Sequence, residues 1–176
     1  MYIGRAGTKL EHALSSFKVD VKDKVCADFG SAVGGFVDCL LQHGAKKVYA
    51  VETGYGILDW KLRSDPRVIT LEKTNAMHVS LPEKVDLVTI DASWTKQKNI
   101  IPNAKSQLKT NGLIITLIKP HYESGQPKLS PQEAEVIATQ TLDYIHTLGV
   151  SIIAFTKSPL TGTKGENTEY LALLKV

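Results

Sequence analysis

The chain has 176 residues, 43% of them apolar, and a net charge of +3. That length suits one α/β domain with a full core and leaves little room for a second. No apolar run approaches the ~20 residues of a membrane span, and the first residues lack the apolar core of a secretory signal. A membrane-embedded or exported class is therefore set aside and a cytoplasmic location expected. The two cysteines, Cys26 and Cys39, lie in apolar stretches without CxxC spacing and read as buried reduced thiols. The weak net charge decides little, but its distribution is uneven. Residues 92–111 carry Lys96, Lys98, Lys105 and Lys109 with no acid, and the N-terminal part adds Arg5, Lys9, Lys18, Lys22 and Lys24. Two basic stretches fit either a solvated surface or a polyanionic partner.

Helices and strands alternate along the chain, as a helix-covered parallel sheet requires. Leu10, Ala13, Leu14 and Phe17 recur at helical spacing and predict a helix over 5–17. A short apolar strand over 25–29 runs into a glycine-rich turn over 30–35, then a helix over 36–43 closed by Gly44. A second strand over 47–51 ends at Glu52, and a short helix over 58–63 is stopped by Asp65-Pro66. Strands follow over 68–71 and 85–90. The latter is apolar on both faces, as a central parallel strand must be, and ends at Asp91. A helix is predicted over 101–108 with Pro102 in its first turn, then an Asn111-Gly112 turn and a strand over 113–118 ending at Lys119-Pro120. Ser130, Pro131 and Glu133 form a capping box opening the longest helix, over 131–148. Strands over 150–156 and 168–176 enclose a loop of about ten residues. That loop is too short for a parallel crossover, so the seventh strand is predicted antiparallel to the sixth.

Two features suggest a nucleoside ligand. The first strand ends in Asp28-Phe29-Gly30-Ser31-Ala32-Val33-Gly34-Gly35-Phe36, where glycines admit close backbone approach and the next helix offers free N–H groups. The spacing departs from the G-x-G-x-x-G dinucleotide fingerprint. A carboxylate at Asp28 would repel a pyrophosphate but suits the cationic amino-acid end of S-adenosylmethionine. Glu52, at the end of the second strand, is either an exposed strand-end charge or an acceptor for both ribose hydroxyls.

These stretches, with Arg5-Ala6-Gly7-Thr8-Lys9-Leu10, Val51-Glu52-Thr53-Gly54-Tyr55-Gly56, Asp59-Trp60-Lys61-Leu62-Arg63, Thr89-Ile90-Asp91, Ile118-Lys119-Pro120 and Ser158-Pro159-Leu160-Thr161-Gly162, resemble the FtsJ-like ribosomal RNA methyltransferases, most closely the TlyA group, often labelled hemolysins. The resemblance spans essentially the whole chain. It implies a Rossmann-like S-adenosylmethionine-dependent methyltransferase fold of seven strands with the last antiparallel. It also implies 2′-O-methylation of ribose in ribosomal RNA, acting on RNA or a ribosomal subunit. By motif, the family's Lys-Asp-Lys-Glu tetrad falls on Lys9, Asp91, Lys119 and Glu169. Its cofactor contacts fall on Asp28, Gly30, Ser31, Gly34, Gly35, Phe36, Glu52, Thr53 and Asp91, with Asn75 near the adenine. Relatives usually carry a small RNA-binding domain before this one, and the chain begins where that domain ends, so a single catalytic domain over 1–176 is expected. His121-Tyr122 stands where a Gln-Phe-like pair is usual, and Ser93-Trp94 where Ser-Phe is usual.

The tetrad also makes sense without the resemblance. Asp91 and Lys119 end the fourth and fifth strands, and ligands of open parallel sheets bind beyond the carboxyl ends. An antiparallel seventh strand brings Glu169 to that same edge, and Lys9 reaches over from the first helix. For in-line methyl transfer to a hydroxyl, alignment and one proton must be managed. Lys119 either takes that proton or holds the oxygen. Asp91 would orient Lys119, with Glu169 and Lys9 holding the network. Trp94 is either core or a stacking platform for a target base. The five histidines show no metal-ligand spacing, so no metal is expected. The competing readings are a cofactor-binding RNA- or protein-interaction module without catalysis, a small-molecule methyltransferase, and a lytic protein. Short loops and the lack of an amphipathic segment disfavour the last two.

Overall fold

A computed structural model describes residues 1–162 and 166–176; Thr163 to Gly165, part of the predicted loop before the last strand, lie outside the described residues. The elements are α1 (Ala6–Phe17), β1 (Val25–Phe29), α2 (Gly35–Gln42), β2 (Lys47–Val51), α3 (Trp60–Arg63), β3 (Val68–Leu71), β4 (Val85–Ile90), α4 (Gln97–Gln107), β5 (Leu108–Ile118), α5 (Pro120–Ser124), α6 (Pro131–Thr147), β6 (Ser151–Lys157) and β7 (Tyr170–Lys175). The sheet runs β3-β2-β1-β4-β5-β7-β6. The first five strands are mutually parallel, and β7 lies antiparallel between β5 and β6.

Strand alternation divides the core in two. On β5, Ile114 and Ile118 join Phe29, Val88, Ile90, Ile100, Ile101 and Ile145 on the face covered by α4 and α6. Ile115 and Leu117 turn the other way, toward Leu10, Phe36, Leu40 and Leu62 of α1, α2 and α3. Each central strand is therefore apolar on both faces, and β1 is buried at every position. Burial of these two layers is the main stabilising term, at ~25 cal/mol per Å2 of apolar surface removed from water.

Strands β1 to β4 occupy the predicted residues. The differences lie elsewhere and have local causes. The α4 helix starts at Gln97, and Pro102 sits inside it rather than in its first turn. The Asn111-Gly112 pair is not a turn between elements but lies within β5, which begins at Leu108; Asn111 takes φ 61° where the β4–β5 register shifts. One left-handed residue makes a bulge there, and the strand continues past it. The five-residue α5 was not expected; Pro120 gives it a preset first position and Gly125 a left-handed stop. The capping box at Ser130 and Glu133 forms in full. Both cysteines are buried and free. No helix among the described residues is long and apolar enough to cross a membrane.

Candidate functional site

Strand order reverses direction on either side of β1 and β4, and the loops after these two strands part at their carboxyl ends. A ligand crevice is expected at that point, and the described structure has two adjoining cavities there. The first, about 420 Å3, is lined among others by Lys9, Asp28, Gly30, Phe36, Asp91 and Glu169. The second, about 300 Å3, is lined among others by Glu52, Thr53, Asn75, Met77, Asp91 and Ile100. Gly30, Ala32, Asp91, Ser93 and Trp94 border both.

Four charged side chains from distant parts of the chain meet in the first cavity. Lys9 Nζ of α1 lies 2.5 Å from Glu169 Oε2, and the pair is almost wholly buried. Lys119 Nζ, just after β5, lies 2.5 Å from Asp91 Oδ1, just after β4. Glu169 sits one residue ahead of β7 and reaches the shared edge because β7 runs antiparallel. Its position is fixed on both sides: its carbonyl accepts from Ser158 N–H at 2.8 Å, and Asn167 bonds Leu129 N–H and the Pro127 carbonyl. For Lys119, burial works to lower the pKa, but the charge and hydrogen bond of Asp91 and the charge of Glu169 outweigh it, and the net direction is upward. Lys119 is therefore held as an ammonium.

The glycine-loop end shows what the first cavity lacks. Asp28 is fully buried, with Oδ1 accepting from Thr89 Oγ1 at 2.7 Å, while Oδ2 has no hydrogen-bond partner among the described residues. Burial pushes its pKa up to about 7, despite the hydrogen bond from Thr89. A buried carboxylate oxygen without a partner is costly, and a cationic ligand group would relieve it. Gly30 has φ +89°, and a Cβ there would come 2.8 Å from the Asp91 carbonyl oxygen. Only glycine lets the two loops approach this closely. Gly35, Ser31 and Phe36 also line this cavity. Gly34 does not; a Cβ there would strike Leu62 of α3, so its absence of a side chain serves packing. In the second cavity Glu52 accepts from Ala32 N–H and Gly54 N–H, both at 2.9 Å. Oε1 accepts from Thr53 Oγ1 as well, at 3.1 Å, so Oε2 is the oxygen that keeps a lone pair for a ribose hydroxyl, and Thr53 Oγ1 stands beside it for the second. Asn75 and Thr53 line the same cavity. Together the two cavities offer an anion for an ammonium group, an acceptor for a ribose diol and an apolar floor of Met77 and Ile100, and they fit S-adenosylmethionine.

The chain matches the FtsJ-like methyltransferase family over residues 2–175. It belongs to that family. It is 36% identical to the YqxC protein of Bacillus subtilis, with 97% of this chain and 64% of that protein aligned. It is 35% identical to the 16S/23S rRNA (cytidine-2′-O)-methyltransferase TlyA of Mycobacterium tuberculosis, over 99% of this chain and 68% of that one. A solved hemolysin-labelled structure from Streptococcus thermophilus superposes with TM-score 0.94 at 33% identity, covering 99% of this chain and 66% of that one. The chain thus spans about two thirds of the length of these relatives.

One residue of this FtsJ-like domain had no sequence signal as a site component. Gln97 is buried and ties the start of α4 to β5: its amide donates to the Leu117 carbonyl and accepts from Thr116 Oγ1, while its N–H bonds Glu123 of α5. This braces the 91–97 loop, where Trp94 stands 79% exposed with φ 63°. The Trp94 ring lies 4.9 Å from that of Tyr122, and Tyr122 lies 4.1 Å from His121. The basic stretch over 92–111 divides. Lys105 bonds the carbonyls of Leu148 and Gly149, and Lys109 pairs with Asp86, both at the opposite edge of the sheet. Lys96 and Lys98 remain on the cavity side, within electrostatic range of Glu123.

Proposed function

We propose that this chain is an S-adenosylmethionine-dependent methyltransferase that modifies a ribose 2′-hydroxyl of ribosomal RNA. The observation that carries the reading is the pair of amine–carboxylate contacts, Lys9–Glu169 and Lys119–Asp91, facing one cavity beside an unpartnered Asp28 oxygen. A cluster of buried ions seldom brings net stability, so its assembly from four separate elements fits a catalytic demand better than a structural one.

Asp28 would face the ammonium of the cofactor, Glu52 the ribose diol and Asn75 the adenine, with Gly30, Ser31, Gly35, Phe36 and Thr53 shaping the walls. When bound, S-adenosylmethionine supplies a methyl carbon activated by a sulfonium. Lys119, held charged by Asp91, donates a hydrogen bond to the attacking ribose oxygen and fixes its line of approach. This favours positioning over a base role for that amine. Glu169 and Lys9 hold each other, close the wall behind Lys119 and keep the site's charge balanced. Trp94, exposed beside Asp91, offers a face for the target base. Lys96 and Lys98 lie where RNA phosphates would be drawn in. Such a substrate implies a cytoplasmic site of action.

Lys119→Ala should bind S-adenosylhomocysteine normally while losing methyl transfer, scored by mass mapping of ribose methylation on ribosomal subunits. A Lys119→Ala protein with full activity would refute the assignment. Tight cofactor binding by the unaltered protein, with no turnover on RNA or intact subunits, would instead favour a binding module.

A further inference from the structure

Two segments at the cavity mouth run side by side and are joined at three levels. One is the loop from Asp91 to Gln97, between β4 and α4; the other is Lys119 with the α5 helix that follows it. At the first level Lys119 Nζ meets Asp91 Oδ1 at 2.5 Å. At the second the Tyr122 ring lies 4.9 Å from that of Trp94. At the third Glu123 Oε1 accepts from Gln97 N–H at 2.7 Å. The first level belongs to the tetrad and the second to the face offered to the target base. Glu123 and Gln97 line neither cavity.

The first N–H groups of a helix find no partner within it. The α4 helix has Lys96 at its N-cap, a side chain with no acceptor atom, and no acid in its first turn. Glu123 fills that place from another element and faces the positive end of the helix. Burial raises its pKa, against the Gln97 N–H and the charges of Lys96 and Lys98, and the net direction is upward. A serine at the N-cap itself would serve the helix at less cost. What a cap within α4 would not do is join the start of that helix to α5. Both ends of the join rest on fixed elements. The Gln97 side chain bonds the Leu117 carbonyl at 3.2 Å and Thr116 Oγ1 at 2.7 Å on β5, and α5 packs on α6.

Resting on the reading above, we infer that Glu123 is a positioning residue for the target nucleotide, clamping the loop after β4 to α5 so that Trp94 is set against Tyr122 and Asp91 against Lys119 before RNA arrives. Trp94 needs such support. Its backbone takes φ 63° and its ring is largely exposed. A bulky residue keeps a left-handed conformation only where its surroundings over-determine it, and the Glu123 contact fixes the chain three residues further on. Without the clamp the loop would become ordered only when RNA binds, and that lost freedom would weaken binding. The same slack would let Asp91 drift from Lys119 and misalign the attacking oxygen. One contact outside the cavities therefore acts on both substrate affinity and rate.

The test uses the full chain with E123A and with E123Q, whose amide oxygen still accepts from Gln97 N–H. E123A should lower kcat/KM for methyl transfer to ribosomal subunits about 10–10²-fold, through a higher KM for the subunit as well as a lower kcat, with S-adenosylhomocysteine affinity within about threefold of the unaltered protein. E123Q should bring both constants back to within about threefold. In a W60F background Trp94 is the one remaining tryptophan. Its fluorescence anisotropy should fall in E123A and recover in E123Q. E123A with both constants unaltered overturns the inference, as does a lowered kcat at unchanged KM, which fewer folded molecules would give. So does E123Q as impaired as E123A, or a Trp94 anisotropy that E123A leaves unmoved. An unaltered protein that binds cofactor and methylates no ribose overturns the methyltransferase reading instead, and the anisotropy then decides alone whether Glu123 holds the loop.

Discussion

The two edges of the sheet handle charge in opposite ways. At the amino edge, Lys47 pairs with Glu83 and Lys109 with Asp86, all partly open to water. At the carboxyl edge, Lys9, Glu169, Asp91 and Lys119 are held in a cavity, and Asp28 lies deeper still with one oxygen unpartnered. Exposed pairs contribute about 0–1 kcal/mol, whereas buried ones repay their desolvation only through close geometry. An edge tuned for stability looks like the first. Backbone strain does not separate the two, since Asp23 at φ 59° and Asn111 at φ 61° lie at the amino edge as Ala32 at φ 47° and Trp94 at φ 63° lie at the other; the burial of charge does.

The contrast breaks hardest at Lys119. Replacing it with alanine should reduce methyl transfer about 10²–10³-fold, the scale on which single positioned donors act, with cofactor affinity retained by calorimetry. Next comes Lys9→Ala, which strands the carboxylate of Glu169, itself 3% exposed. The loss should be about 3–5 kcal/mol by urea unfolding. The double substitution Lys9→Met with Glu169→Leu should recover much of that stability without recovering activity. If the double variant is as unstable as the single, the pair is structural and the functional reading of this edge weakens.

Asp28 sharpens the comparison because its two effects have opposite signs. Its folded pKa is raised to about 7, against an unfolded value near 3.9. A raised acid binds its proton more tightly in the folded state. Its contribution is therefore fully present below about pH 4 and is lost as pH climbs toward 7. Asp28→Asn should stabilise the cofactor-free protein at pH 8 by about 1–3 kcal/mol, the cost of a buried unsatisfied group, and should weaken S-adenosylmethionine binding. For the unaltered protein, cofactor affinity should increase with pH up to about 7. A flat profile would remove Asp28 from the ligand's ammonium. Trp94→Ala should leave stability unchanged, since the ring is exposed, and should raise the KM for RNA by about 5–100-fold, the equivalent of one stacked base.

How much of this the sequence disclosed depends on range. Continuous apolar runs mark β1 and β4 because both faces are buried, and the short loop before β7 forces its direction. The family resemblance singles out Asp91, Lys119 and Glu169, and that topology brings them to one edge. Gly34 carries a packing demand the sequence did not show, because a glycine needed for packing against Leu62 looks the same in one dimension as a glycine needed for a ligand. The α5 helix was missed because five residues are too few to show periodicity. Gln97 carries no pattern at all, since a partner twenty residues away, the Leu117 carbonyl, is fixed only by tertiary packing. The run of four lysines looked uniform, yet the helix α4 and the strand β5 carry two of them to the far edge.

That far edge supplies the smallest effect. Lys109→Ala removes one member of a partly exposed pair, but Asp86 keeps a second tie, because its Oδ2 accepts from Val25 N–H at 2.9 Å. The loss should be about 0.2–1 kcal/mol in low salt and should vanish in 1 M salt. Burial raises the Asp86 pKa, but the Val25 N–H and Lys109 outweigh it, and the net direction is downward. Such a group stabilises above its unfolded pKa, and the contribution is lost as pH falls through the lowered folded value. Lys109→Ala should therefore soften the acid limb of the stability curve and leave methyl transfer untouched. If it instead weakened RNA binding, the amino edge would belong to the substrate surface and the division of labour between the two edges would fail.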